Sequence, residues 1–251
     1  MEGPPRRLPA DLAPLLAEQG VGSTVLVQPL ASAEETDRAA ELAAETGFVG
    51  AVVPWVDVTA RSLGRRLDKL GATPKLRGVF VLASAEQDNR WLVRSDVLRG
   101  LGAVAERGLS VDVLVEPRQL PSVGELADRL PSLSIAVAHL GGPSIGWGQR
   151  EPWGVYMLNL APHRNVVMKL SGLLTLDSRP WNAAHLRGFV EHVVRLFGYE
   201  RMMWGSDWPA HDGVATYAQA MESAIGAAEP MTTAQRERLL AGTAREFYRI
   251  G

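Results

Sequence analysis

The residues best placed to do chemistry lie in the run Met202-Met203-Trp204-Gly205-Ser206-Asp207-Trp208-Pro209. An apolar stretch stops at a glycine, presents one acid and is cut off by a proline, which reads as a strand end carrying a carboxylate. Indole surfaces on both sides of Asp207 would desolvate it and raise its pKa toward the range of a general base. The plainer alternative is an aspartate that caps the next turn. His139 follows Val137-Ala138 and precedes Leu140-Gly141-Gly142-Pro143. It therefore also sits where a strand meets pliant backbone, either sharing a proton with Asp207 and donating to a carbonyl, or simply hydrogen-bonding loop carbonyls. Lys169 lies in Val166-Val167-Met168-Lys169-Leu170-Ser171, on the opposite strand face from Met168 and Leu170. Pointing inward it would bind a substrate carboxylate or polarise a carbonyl; pointing outward it would snorkel to water.

Further candidates at strand ends are Gln28, Trp55, Asp57, Glu116 and Ser171, with His211 in the loop after Asp207. His163 precedes a strand and belongs at the opposite end of the molecule, in a structural role. His185 and His192 stand seven apart on one helix, a spacing that makes no i,i+4 metal pair and leaves both solvated. No His-x-His, His-x-x-x-His or carboxylate cluster appears, so no tightly bound cofactor is expected; a weakly held divalent ion such as zinc is left open.

Elements that position these residues repeat along the chain. A helix over 11–19 closes at Gly20. Strands are expected at 24–27, 49–56, 76–82, 111–115, 135–138, 166–170 and 202–204. Helices follow them at 32–46, 62–70, 96–107, 122–130, 153–160, 182–197, and 216–227 with 233–248. Ser32-Ala33-Glu34-Glu35 has the capping-box pattern. Seven strand–helix units without a linker argue for parallel β/α architecture, as one domain over 1–251. A doubly wound sheet and an eightfold (β/α)8 barrel of the TIM type both fit, and seven regular units near 250 residues favour the barrel. Its missing unit is most simply the first strand, since the chain opens on a helix.

Composition narrows the function. The 251 residues are 46% hydrophobic and 22% charged, enough for a sizeable core. Net charge is −2 without a basic run, which argues against nucleic acid and anionic membranes as partners. With no cysteine there is no thiolate nucleophile and no Cys-bound metal. The first ten residues have the wrong order and composition for a signal peptide, and no stretch reaches the length of a membrane span, so a cytoplasmic protein is expected.

Val137-Ala138-His139-Leu140-Gly141-Gly142-Pro143, Asn165 through Leu173, Trp204 through Pro209 and Gly242 through Tyr248 together resemble the amidohydrolase-related (amidohydrolase 2) family. The similarity is to its lactonase-like branch, which includes L-fuconolactonase-type and 2-pyrone-4,6-dicarboxylate-lactonase-type enzymes. It covers essentially the whole chain in order. The resemblance implies a (β/α)8 barrel that hydrolyses a lactone or related ester. Asp207 would be the base that activates water, His139 would contact the small-molecule substrate, and the need for a divalent metal varies within the branch. His139 and Lys169 are candidate donors to the developing oxyanion, with Gln28, Trp55, Phe80, Ser171, Trp208 and His211 lining the substrate.

The departures also carry information. The family's first-strand Asp-x-His-x-His motif is absent, because the chain starts after that unit or has lost it. Phe80 of Gly78-Val79-Phe80 stands where the family carries an arginine for acidic groups, Ala138 replaces an aspartate and Gly142 a lysine. These changes point away from an acidic substrate and from strong metal binding. Two other functions stay open. One is a non-hydrolytic lyase, isomerase or cyclase, including a variant with Lys169 as Schiff-base nucleophile. The other is a binding remnant whose exposed strand edges are covered in a homodimer.

Overall fold

The computed structural model describes residues 7–176 and 183–251, with side chains from 186 onward in the second segment. Strands are set by short runs of Val, Ile, Leu and Met: β1 Thr24–Val27, β2 Val49–Val53, β3 Gly78–Leu82, β4 Ser110–Leu114, β5 Ile135–Val137, β6 Val166–Leu170 and β7 Met202–Trp204. All pair in parallel with their sequence neighbours. β1 and β2 form one ladder and β3 to β7 another. The two are linked where the backbones of Val52 and Leu76, and of Trp55 and Phe80, meet as single bridges. A strand order that never reverses is that of a barrel wall, not of a doubly wound sheet. Among the described residues no strand pairing joins β7 back to β1, so the wall is open at that seam.

The strands are apolar on both faces because both are covered. Outward residues such as Val79, Val81, Val111, Val113 and Met168 join the helices in one core cluster. Inward residues Ala51, Val53, Phe80, Ala136, Val167 and Met203 form a second cluster, closed by Tyr248. The flanking helices are α1 Pro9–Glu18, α2 Ala33–Glu45, α3 Leu63–Leu70, α4 Ser95–Glu106, α5 Leu120–Arg129, α6 Trp153–Leu160, α7 Ala183–Phe197 and α8 Tyr217–Ala228. Their apolar residues recur every three or four positions, as Leu63, Leu67 and Leu70 do on α3. Each such leucine taken from water contributes roughly 1.5–3 kcal/mol. Ser32 caps α2 by accepting from the Glu35 amide at 3.3 Å. On α4, Gly100 is required by contact, since a Cβ there would lie 1.9 Å from the Val58 carbonyl oxygen.

The long helix expected over 233–248 is instead three pieces: α9 Thr233–Glu237, a π turn over Arg238–Gly242 and α10 Thr243–Tyr248. Leu239 must enter the outer core while Tyr248 enters the barrel interior. The wider π turn shifts the buried face between them. The end of α10 lies beneath β2 to β4: Arg77 Nε donates to the Arg249 carbonyl at 3.4 Å, and Arg249 reaches the carbonyl of Gly108. The start expected for α7 at Asn182, and the side chain of His185, lie outside the described residues. Among the described residues no helix is long and apolar enough to cross a membrane.

Candidate active site

Asp207 and His139 arrive at the same rim from the ends of β7 and β5, the strands on either side of β6. β7 turns its Met203 inward, Gly205 passes 3.3 Å (as measured to an added Cβ) from Ser171, and the chain then bends so that Asp207 has φ 59°. His139 and Leu140, directly after β5, have φ 52° and 51°, and Gly141 and Gly142 continue the left-handed run at 72° and 70°. Left-handed backbone is costly for residues with a Cβ, of order 1–3 kcal/mol each, and persists only where surroundings over-determine it. Here the indole of the fully buried Trp153 donates to the Leu140 carbonyl at 2.7 Å and pins the loop.

The result is a carboxylate facing an imidazole. His139 Nε2 lies 3.8 Å from Asp207 Oδ1, both side chains about three-quarters buried. That separation is too long for a hydrogen bond. His139 Nδ1 is 2.9 Å from the Ser171 hydroxyl. With a carboxylate before Nε2, the favoured arrangement has Ser171 donating to Nδ1 and Nε2 carrying the proton. Gly172 crosses the ring so closely, at φ 65°, that a Cβ would sit 2.4 Å from Nδ1. Burial pushes the Asp207 carboxyl above the usual range, and His139, His211, Lys169 and Thr175 only partly oppose it. Burial likewise holds His139 below its ordinary value; Asp207 opposes that shift and Lys169 adds to it.

Lys169 points inward, from the level of β6 that pairs with Met203. Its ammonium pairs with Asp112 and lies 5.4 Å from the centre of the Tyr248 ring. Asp112 is fully buried on β4 and also accepts from the Tyr248 hydroxyl, at 2.9 and 2.8 Å to its two oxygens. Burial and the adjacent Asp112 push the Tyr248 hydroxyl well above its ordinary pKa, so it stays a donor. The Schiff-base alternative for Lys169 would require that pair with Asp112 to open. Asp112 and Tyr248 escaped the sequence reading. A charged residue inside Val111-Asp112-Val113 was the available signal; Tyr248 ends the Gly242–Tyr248 run that shares in the family resemblance, but nothing in that run pointed it at Asp112.

Other expected residues divide. Ser171, Asp207 and His211 line one open cleft with Trp204. His211 is buried; its Nδ1 donates to the Ala215 carbonyl at 3.0 Å and its Nε2 has no partner. Phe80 is buried in the barrel interior with Trp55 packed against the same cluster, and Trp208, half-buried, adjoins Asp207. Gln28 does not join them. Its amide donates to Leu30 and Ser32 and accepts from Thr36 and the Trp55 amide, which makes it a clamp between β1, α2 and β2. Asp57 folds back on Thr59, and Glu116 pairs with Arg118. His163, as expected, has a structural place, with Nδ1 on the Leu160 carbonyl at 3.0 Å. His192 is not solvated: it is half-buried, stacks on Trp153 and donates to Gly154 at 3.0 Å, because α7 packs against α6.

Among the described residues no three His, Asp or Glu side chains converge as a metal set. Asp207 and His139 are two facing donors with an ammonium nearby, fewer than the three or four that a tight site uses. The amidohydrolase family profile matches residues 2–250. An L-fucono-1,5-lactonase of Burkholderia ambifaria is 36% identical over 96% of this chain and 85% of that protein. A crystal structure of an amidohydrolase from Burkholderia multivorans with bound HEPES superposes with a TM-score of 0.91, at 32% identity over 98% of this chain and 89% of that one. A structure of an amidohydrolase from the same organism with bound Zn superposes at 0.89, with 31% identity and the same coverage. The chain therefore belongs to the amidohydrolase family, in its lactonase-like branch, and is a hydrolase.

Proposed function

We propose that this hydrolase opens a lactone or related ester with water activated by Asp207, without a tightly bound metal. One observation carries the reading: an acid and a histidine face each other 3.8 Å apart across the end of β6, both in left-handed backbone. Strain of that kind gathers at functional sites. Its raised pKa suits Asp207 to general-base work, and the 36%-identical L-fucono-1,5-lactonase supports the substrate class.

In the proposed reaction Asp207 takes a proton from water as its oxygen adds to the lactone carbonyl. His139 Nε2–H and the Lys169 ammonium donate to the oxyanion that develops. Collapse breaks the ring C–O bond, and the departing alkoxide recovers the proton held by Asp207, leaving a hydroxy acid. Phe80, Trp55 and Trp208 supply apolar wall, and Ser171 and His211 polar contacts. Among the described residues two donors, Asp207 and His139, face each other, and the proton is assigned to Asp207. The test is a pH-indicator assay against sugar lactones, aromatic lactones and simple esters, with and without chelator. Hydrolysis that resists chelator and disappears in Asp207→Asn is the expected result; chelator-sensitive turnover, or full activity in the variant, overturns the reading.

A further inference from the structure

The charges inside the barrel have an arrangement that the proposed reaction does not by itself require. Alternation along β1 to β7 turns apolar residues inward almost everywhere, with Asp112 and Lys169 as the ionisable exceptions on the described strands. No arginine occupies an inward strand position among the described residues; Phe80, paired in register with Asp112, is an aromatic. The two exceptions pair with each other, and the Tyr248 hydroxyl holds both carboxylate oxygens from the opposite side. Asp112 is wholly buried whereas Lys169 retains 13% of its side-chain surface, so the lysine is the more accessible member of the pair. Its positive charge is already balanced there. At the rim stands the carboxylate of Asp207 beside a histidine whose charged form burial disfavours.

We propose that Asp112 sets the charge selectivity of the site: by neutralising Lys169 it leaves the described strands without a free inward cation, so that the preferred lactone bears no carboxylate. Lys169 can still donate a hydrogen bond to a carbonyl oxygen. A second negative charge, by contrast, meets the carboxylate of Asp207, with Lys169 already paired among the described residues. Tyr248 acts as a positioning residue, since its hydroxyl, donating to Asp112, holds that carboxylate aimed at Lys169. This inference rests on the lactonase reading for the kind of ligand, yet it can fail separately.

The experiment compares phthalide, an uncharged aromatic lactone, with 5-carboxyphthalide, the same ring bearing one carboxylate. Binding is read at low salt from the fluorescence of the cleft tryptophans, so no turnover is needed. Wild-type protein is expected to favour phthalide by about tenfold or more; equal binding, or no detectable binding of either, overturns the proposal. Asp112→Asn is expected to bind 5-carboxyphthalide about tenfold more tightly than wild type, and the gain should vanish in Asp112→Asn/Lys169→Gln, which a merely structural role would not produce. An unchanged affinity in folded Asp112→Asn overturns it. If Asp112→Asn does not fold, the wild-type comparison decides alone. Charge selectivity without hydrolysis of any lactone would sink only the lactonase reading; hydrolysis with indifference to charge would sink only this one.

Discussion

Asp207 is held under conditions that oppose its charge, and the opposition is measurable. Its pKa is raised above the unfolded value by burial. The stability tied to this group is therefore present below the unfolded carboxylate pKa near ~4 and is lost as pH rises through the higher folded value. At neutral pH the ionised Asp207 is a net cost to the fold. Asparagine removes the charge and tolerates left-handed backbone, so Asp207→Asn should raise the melting temperature by a few degrees, on a scale of about 2–4 °C per kcal/mol. The same substitution should lower kcat by at least about a hundredfold. Calorimetry beside the pH-indicator assay would expose the opposite outcome, a variant that is both inactive and less stable. The acidic limb of the wild-type rate profile should likewise lie above the titration of a free carboxyl, because the deprotonated acid is the working form.

Short connecting segments, rather than strands, hold the working geometry. After β5 the four-residue left-handed run is restrained by the Trp153 indole on the Leu140 carbonyl. Trp153→Phe keeps most of the packing but leaves that carbonyl without its donor, a loss of about 1–3 kcal/mol. It should lower kcat more than it changes KM, since the loop relaxes away from the orientation that His139 needs. After β6, Gly172 must pass over the His139 ring, and Gly172→Ala is blocked twice, by its φ of 65° and by a contact of 2.4 Å. That variant should fold, with its activity near that of a His139→Ala control; retained activity would show that the imidazole position is not critical. These needs were partly visible in the sequence, where Gly141-Gly142 and Gly172 flank the candidate residues. The direction of each side chain was not, because it depends on a φ that residue type alone does not set.

The whole molecule is a wall of strands plugged from within by its own C-terminal helix. Tyr248 joins the inward cluster and satisfies a buried carboxylate on β4, 136 residues earlier in the chain. Tyr248→Ala would open a cavity and strip Asp112 of a donor, a loss of about 3–5 kcal/mol; chemical denaturation would read it directly, and a change below 1 kcal/mol would mean that α10 is dispensable to the core. The open seam has a consequence of its own. Among the described residues β1 pairs only with β2, which meets β3 through isolated bridges, whereas β4 to β6 are paired on both sides. Native-state hydrogen exchange should find the amides of β1 less protected than those of β4 and β5.

The strand–helix alternation, the seven units and the placing of His139 and Asp207 at strand ends followed from the sequence alone, because hydrophobic period and Gly/Pro punctuation are local properties. So did the inward or outward choice open to Lys169, but not its answer. Tertiary structure decided that Lys169 turns in and meets Asp112, that the helix over 233–248 breaks to deliver Tyr248, and that Gln28 is spent on a clamp. Each of those outcomes is a contact between residues distant in the chain, and local pattern holds no information about which buried polar group will find which partner.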